Sequence, residues 1–143
     1  MTLNQLNQLL KGFVSDHPQL NSFGRGGYEE LQASKDIVYP LMWVASYDGR
    51  HADKQMQRNI QIVFADLLKE DKSNELEVQS DMEQVALDLI ALLRDNPDYD
   101  FQVDDSIQIL LFTERFVDFT AGVFITFTFR DPKPYDRCEI PSN

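Results

Sequence analysis

The stretch "FTAGVFITFTFR", Phe119 to Arg130, decides how this chain folds. Phe119, Ala121, Val123, Ile125, Phe127 and Phe129 take alternate positions, with Thr120, Gly122, Phe124, Thr126 and Thr128 between them. Successive side chains of a strand point to opposite faces, so the alternation predicts a strand with one wholly apolar face. Just upstream, Ile107, Ile109 and Leu111 alternate with Gln108, Leu110 and Phe112. A turn near Arg115 to Asp118 joins the two strands into an antiparallel hairpin.

A helix precedes this hairpin. From about Glu75 to Arg94, Val78, Met82, Val85, Ala86, Leu89, Ile90 and Leu93 form a wide apolar stripe, with Gln79, Glu83, Gln84 and Asp88 largely outside it. Its front end, "DKSNELEVQSD" (Asp71 to Asp81), holds four carboxylates and reads as punctuation rather than chemistry. Asn74 is placed as the N-cap and Glu77, three residues on, completes a capping box. Glu75 and Glu77 then meet the positive end of the helix dipole.

The first half repeats the plan. "DIVYPLMWVASYDG" (Asp36 to Gly49) is a strand, with Pro40 arguing for an edge or a bulge. Asp48-Gly49 is expected to supply the hairpin turn. The returning strand spans about Lys54 to Asp66, with Ile60, Ile62 and Phe64 on one face and Asn59, Gln61 and Val63 on the other. Ahead of it, Leu3, Leu6, Leu10, Phe13 and Val14 predict an amphipathic helix over residues 2–16, with Thr2 available as a cap and "DHP" as its stop. The expected class is α+β: one antiparallel sheet of about four strands, two helices on one face, order α-β-β-α-β-β. Residues 1–131 form the expected domain, and 132–143, with three prolines, an extended tail.

The 143 residues are 43% hydrophobic and 26% charged, a composition that folds. The net charge of −11, with 13 scattered basic residues, opposes gripping of a phosphate backbone. It does not exclude a surface that lets DNA slide past without gripping it. Cys138 is the one cysteine, so no disulfide forms within the chain. The N-terminus lacks the basic and apolar regions of a secretory signal, and no apolar run reaches membrane-spanning length. A soluble protein is expected.

Catalytic patterns are weak. His17 and His51 lie at element boundaries without metal-ligand spacing, and Cys138 sits in the tail. "NSFGRGGYEE" (Asn21 to Glu30) lacks the Lys-Ser/Thr ending of a phosphate loop and reads as a flexible turn exposing Arg25. Asp98, Asp100, Asp104 and Asp105 do not match a calcium loop, although a small metal-dependent enzyme built on them is a third-ranked reading. The protein is expected to be no enzyme and to need no cofactor.

Several stretches in chain order carry a family resemblance. They are "NQLNQLLKGFVSDHPQLNSFG" (4–24), "IVYPLMWV" (37–44), "DLLKEDKSNELEVQSDMEQVALDLIALL" (66–93), "LLFTERFVDFTAGVFITFTF" (110–129) and "YDRCEIP" (135–141). Together they resemble small virion proteins of tailed phages and prophages, notably crAss-like phages and related prophages of gut bacteria. These are similar to tail-terminator and head–tail completion proteins. The resemblance implies a neck or tail protein of the virion, made in the host cytoplasm. It implies a homo-oligomeric ring, hexamer or dodecamer, around the DNA channel, touching other neck, tail or portal-side proteins and no membrane. In such a ring, Glu114, Arg115 and Phe116 at the hairpin turn are candidate subunit contacts, since Arg and aromatic residues anchor interfaces. Tyr135, Arg137 and Ile140 of the tail are candidates for lying across a neighbour. An assembly chaperone absent from the mature particle is the alternative reading.

Overall fold

A computed structural model describes residues 1–34, 36–94, 96–113 and 118–132. Its elements run α1 (Leu3–Asp16), β1 (Ser22–Arg25), α2 (Tyr28–Ala33), β2 (Leu41–Ser46), β3 (Gly49–Ala52), β4 (Gln55–Leu67), α3 (Glu75–Leu93), β5 (Gln102–Thr113) and β6 (Thr120–Asp131). The class is α+β, with one mixed sheet of six strands ordered β1-β2-β4-β6-β5, β3 pairing with β4 off that path.

The stretch from Phe119 to Arg130 takes the centre of this sheet. β6 pairs antiparallel with β4 along its whole length, from Met56↔Asp131 to Leu67↔Thr120, and with β5 on its other side. Its apolar face, Ala121, Val123, Ile125, Phe127 and Phe129, is at most 2% exposed. It meets Ile60, Ile62 and Phe64 of β4 and the buried stripes of α1 (Leu6, Leu10, Phe13, Val14) and α3 in the main core. At ~25 cal/mol per Å² of apolar surface, this continuous burial dominates the stabilisation of the fold. Gly122 leaves no room for a side chain at the seam of the central strands: a Cβ there would lie 1.8 Å from the Phe64 carbonyl oxygen.

The two predicted antiparallel strand pairs exist, β2 with β4 and β5 with β6; the turn predicted near Arg115 to Asp118 falls largely outside the described residues, and four differences are seen elsewhere. First, the turn before β4 is Asp53-Lys54, with φ 53° and 62°, rather than Asp48-Gly49. Asp48 keeps its carbonyl on Asn59 N at 2.8 Å and Gly49 pairs with Arg58, so the chain stays alongside β4 for one more short strand. Two left-handed residues in succession make the type I′ turn that matches strand twist, here without glycine. Second, Pro40 precedes β2, which is internal, and so is not an edge marker; the irregularity falls later, between Val44 and Ser46.

Third, residues 21–33, expected as a loop, form β1 and α2. β1 lies parallel to β2, Gly24 opposite Trp43. The indole packs on the bare Cα of Gly24, where a Cβ would come within 2.3 Å of the ring, and its Nε1 donates to the Gly26 carbonyl at 2.9 Å. Gly26 turns the chain at φ 130°, accessible to glycine alone without strain. α2 lies on the face opposite α1 and α3, where Leu31, Leu41, Trp43, Val63, Ala65 and Phe112 form a second, smaller cluster. Among the described residues the helices number three, and only two share a face.

Fourth, Asn74 is not a side-chain cap. Its backbone (φ −100°, ψ 12°) is in the bridge region rather than the extended one a capping residue takes, its side chain makes no hydrogen bond to the first turn, and neither it nor Glu77 closes a capping box. Asn74 Oδ1 instead accepts from Lys69 N at 2.8 Å, and Nδ2 donates to the Leu67 carbonyl at 3.3 Å, tying the loop to the end of β4. The capping box is at α1, where Thr2 Oγ1 accepts from Gln5 N and Gln5 Oε1 from Thr2 N.

Two substitutions test this account in thermal and urea unfolding. Gly122→Ala is expected to destabilise by about 1–3 kcal/mol through overpacking of the β4–β6 seam; an unchanged midpoint would remove the close approach from the argument. Asn74→Ala should cost roughly 1 kcal/mol. Asn74→Ser, an equally good N-cap, should not restore it; full rescue would return Asn74 to a capping role.

Candidate functional site

The predicted contact residues Glu114, Arg115, Phe116, Tyr135, Arg137 and Ile140 lie outside the described residues, as does the tail from 133 onward. What is described is the strand that leads into the first group. Among the described residues β5 ends the sheet, twelve residues long, paired with β6 on one side. Leu110 and Leu111, on opposite faces of it, are 52% and 55% exposed. At its far end the edge is tied down: Gln79 Nε2 donates to the Phe112 carbonyl at 3.0 Å and Thr113 Oγ1 donates to Glu75 Oε2 at 3.1 Å. Gln79, read as a solvent-side residue of its helix, is thus buried against β5. Asp118, beside the turn, accepts a 2.6 Å hydrogen bond from the Tyr39 hydroxyl. Burial first, and this carboxylate second, push that phenol well above its usual range.

The acids between Asp98 and Asp105 do not converge. Asp104 is taken by Arg130, whose Nε and guanidinium nitrogen donate to its two oxygens at 2.6 and 3.0 Å. The Arg94 guanidinium donates to the Asp104 and Asp105 carbonyls at 3.1 and 3.0 Å. The β5–β6 register shifts between Val103 and Ile107, where these two arginines hold the backbone and side chain of β5. The acidic run therefore makes an anchored bulge. Among the described residues no three His, Cys, Asp or Glu side chains are grouped to hold a metal ion, and no helix is long and apolar enough to cross a membrane.

The Arg130 hydrogen bond holds the Asp104 carboxyl below the ordinary Asp range. A lowered folded pKa contributes stability above the unfolded value of about 3.9 and loses it as pH falls through the folded value. Asp104→Asn should therefore lower the melting temperature slightly at pH 7, and the difference from wild type should close under more acidic conditions. A gap independent of pH would show that the bulge, not the charge pair, is being read.

The glycine-rich segment holds no phosphate-loop geometry; Gly24 and Gly26 serve Trp43. Arg25 is exposed and stands over the Tyr47 ring at 5.7 Å. A small polar recess of about 440 Å³ lies between it and Arg58, whose guanidinium donates to the Tyr47 carbonyl. His17, read as a solvated loop residue, joins two helices: Gln19 N donates to its Nδ1, which leaves Nε2 to donate to Asp88 Oδ2 of α3 at 2.9 Å. His51 is in β3.

Beside the His17–Asp88 link runs a concavity of about 1280 Å³, between α1, the second half of α3 and residues 96–101. Phe13 and Phe101 line it and Tyr99 stands at its rim. Its signal in the sequence was slight. Asn4, Gln8, Gly12 and Asp16 recur every four residues on α1, away from the apolar stripe, which shows a face but not what opposes it. Compared with known proteins, the chain matches no family model, and no curated protein matches it.

Proposed function

We propose that this protein is a structural subunit of a tailed-phage or prophage virion, a tail terminator or head–tail connector that closes with its own copies into a ring around the DNA channel. The observation that carries this reading is the β5 edge. An end strand of twelve residues exposing two adjacent leucines, one on each face, offers the backbone and side-chain contacts through which a neighbour's sheet docks. The strand runs directly into Glu114, Arg115 and Phe116, and a head-to-tail contact of this kind closes into a ring. The long β4–β6–β5 ladder gives such a contact a rigid backing. Net charge −11 favours passage of DNA over its retention.

Light scattering and native mass measurement test this. The purified chain is expected to assemble, as a hexamer or dodecamer, and Leu110→Lys with Leu111→Lys to reduce it to monomer while leaving the circular dichroism unchanged. Peptide mass analysis of purified particles should find the chain. A protein monomeric at every concentration and missing from particles would sink the proposal; an oligomer missing from particles would favour the assembly chaperone.

A further inference from the structure

We infer that the groove between α1 and α3 is a docking site for a basic segment of a partner protein, one carrying Arg or Lys interleaved with apolar residues. At about 1280 Å³ and open to solvent, it exceeds the roughly 300–1,000 Å³ of small-molecule pockets. Its floor is apolar, with Leu9, Phe13 and Phe101. Tyr99, 43% exposed, stacks on Phe101 with ring centroids 5.3 Å apart, and Phe101 in turn packs on Phe129 at 4.6 Å. This aromatic column runs from the core to the surface and presents a fixed ring face at the rim. Such a face attracts a guanidinium or ammonium group within about 6 Å.

The charge around the floor selects the occupant. Asp16, Asp88, Asp98, Asp100 and Asp131 line the groove, and no described Lys or Arg does. Among the described groups there, the His17 ring donates from Nε2 to Asp88, and the Met1 amino group lies 2.8 Å from Asp131. A nucleic acid would be repelled. A second copy, itself at −11, would bring the wrong sign overall. The segment following Pro132 sets Lys133 and Arg137 against Asp136 and Glu139, so it brings no net positive charge. A cationic segment with apolar residues satisfies both the rim and the floor. This surface is separate from the β5 edge, so its occupancy does not depend on ring formation.

Fluorescence anisotropy with the full-length protein tests the inference. The probe is a labelled octapeptide of alternating Arg and Leu, with the Glu/Leu octapeptide as control. The Arg/Leu peptide should bind, and the affinity should fall about tenfold or more between 50 and 500 mM salt. Asp16→Asn with Asp98→Asn should weaken it several-fold, and Tyr99→Ala likewise at unchanged net charge. Glu70→Gln with Asp71→Asn, which removes the same charge on the loop before α3, should leave it unaltered. No binding, equal binding of the Glu/Leu peptide, or equal losses from the two charge-removing pairs would overturn the proposal, whatever the oligomeric state.

Discussion

The twelve-pair ladder between β4 and β6 is the constraint on which the rest of the structure hangs. Both strands bury side chains on both faces at one end, so a slip of one residue would turn Phe64 and Val123 out of the main core together. Gly122 keeps a side chain out of the seam beside the Phe64 carbonyl, and the seam sets where the flanking strands attach. β2 and β3 share the outer side of β4 in succession, while β5 takes the outer side of β6. α1 and α3 then cover the face on which the apolar residues of β2, β4, β5 and β6 line up.

This dependence explains which parts of the fold were legible. Strong periodicity survived translation into structure: the alternation of β6 and β4 and the stripes of α1 and α3 fell within a residue or two of expectation. The segment at 21–33 was not legible, because its order comes from one side chain elsewhere in the chain. Trp43 organises Gly24 and Gly26 from a neighbouring strand, and nothing local in "NSFGRGGYEE" announces that. Asn74 misled for the opposite reason. Its local pattern was right for a cap, but the loop from β4 supplied competing partners, Lys69 and Leu67, that tertiary proximity made available.

Of the functional surfaces, the charges were readable and their meeting was not. Aspartates at 16, 88, 98, 100 and 131 are scattered through the sequence, and the tertiary arrangement of α1, α3, the loop after α3 and the end of β6 brings them around one groove. The acids at 104 and 105 look the same in the sequence, yet two arginines draw them into the sheet. The edge leucines were visible as part of an alternating pattern. Their exposure follows from the position of β5 at the end of the sheet, which no pattern within the strand reveals.

The seat of Trp43 on Gly24 has an optical consequence. It is the single tryptophan of the chain, 7% exposed, and its indole nitrogen is bonded to the loop it helps to order. The main core beneath α1 and α3 contains none. Intrinsic indole emission therefore reports one face of the sheet alone. Undocking of β1 and α2 would red-shift it while the far-ultraviolet signal of the large helices stayed in place, so local opening and global unfolding carry separate spectroscopic signatures in the unlabelled protein.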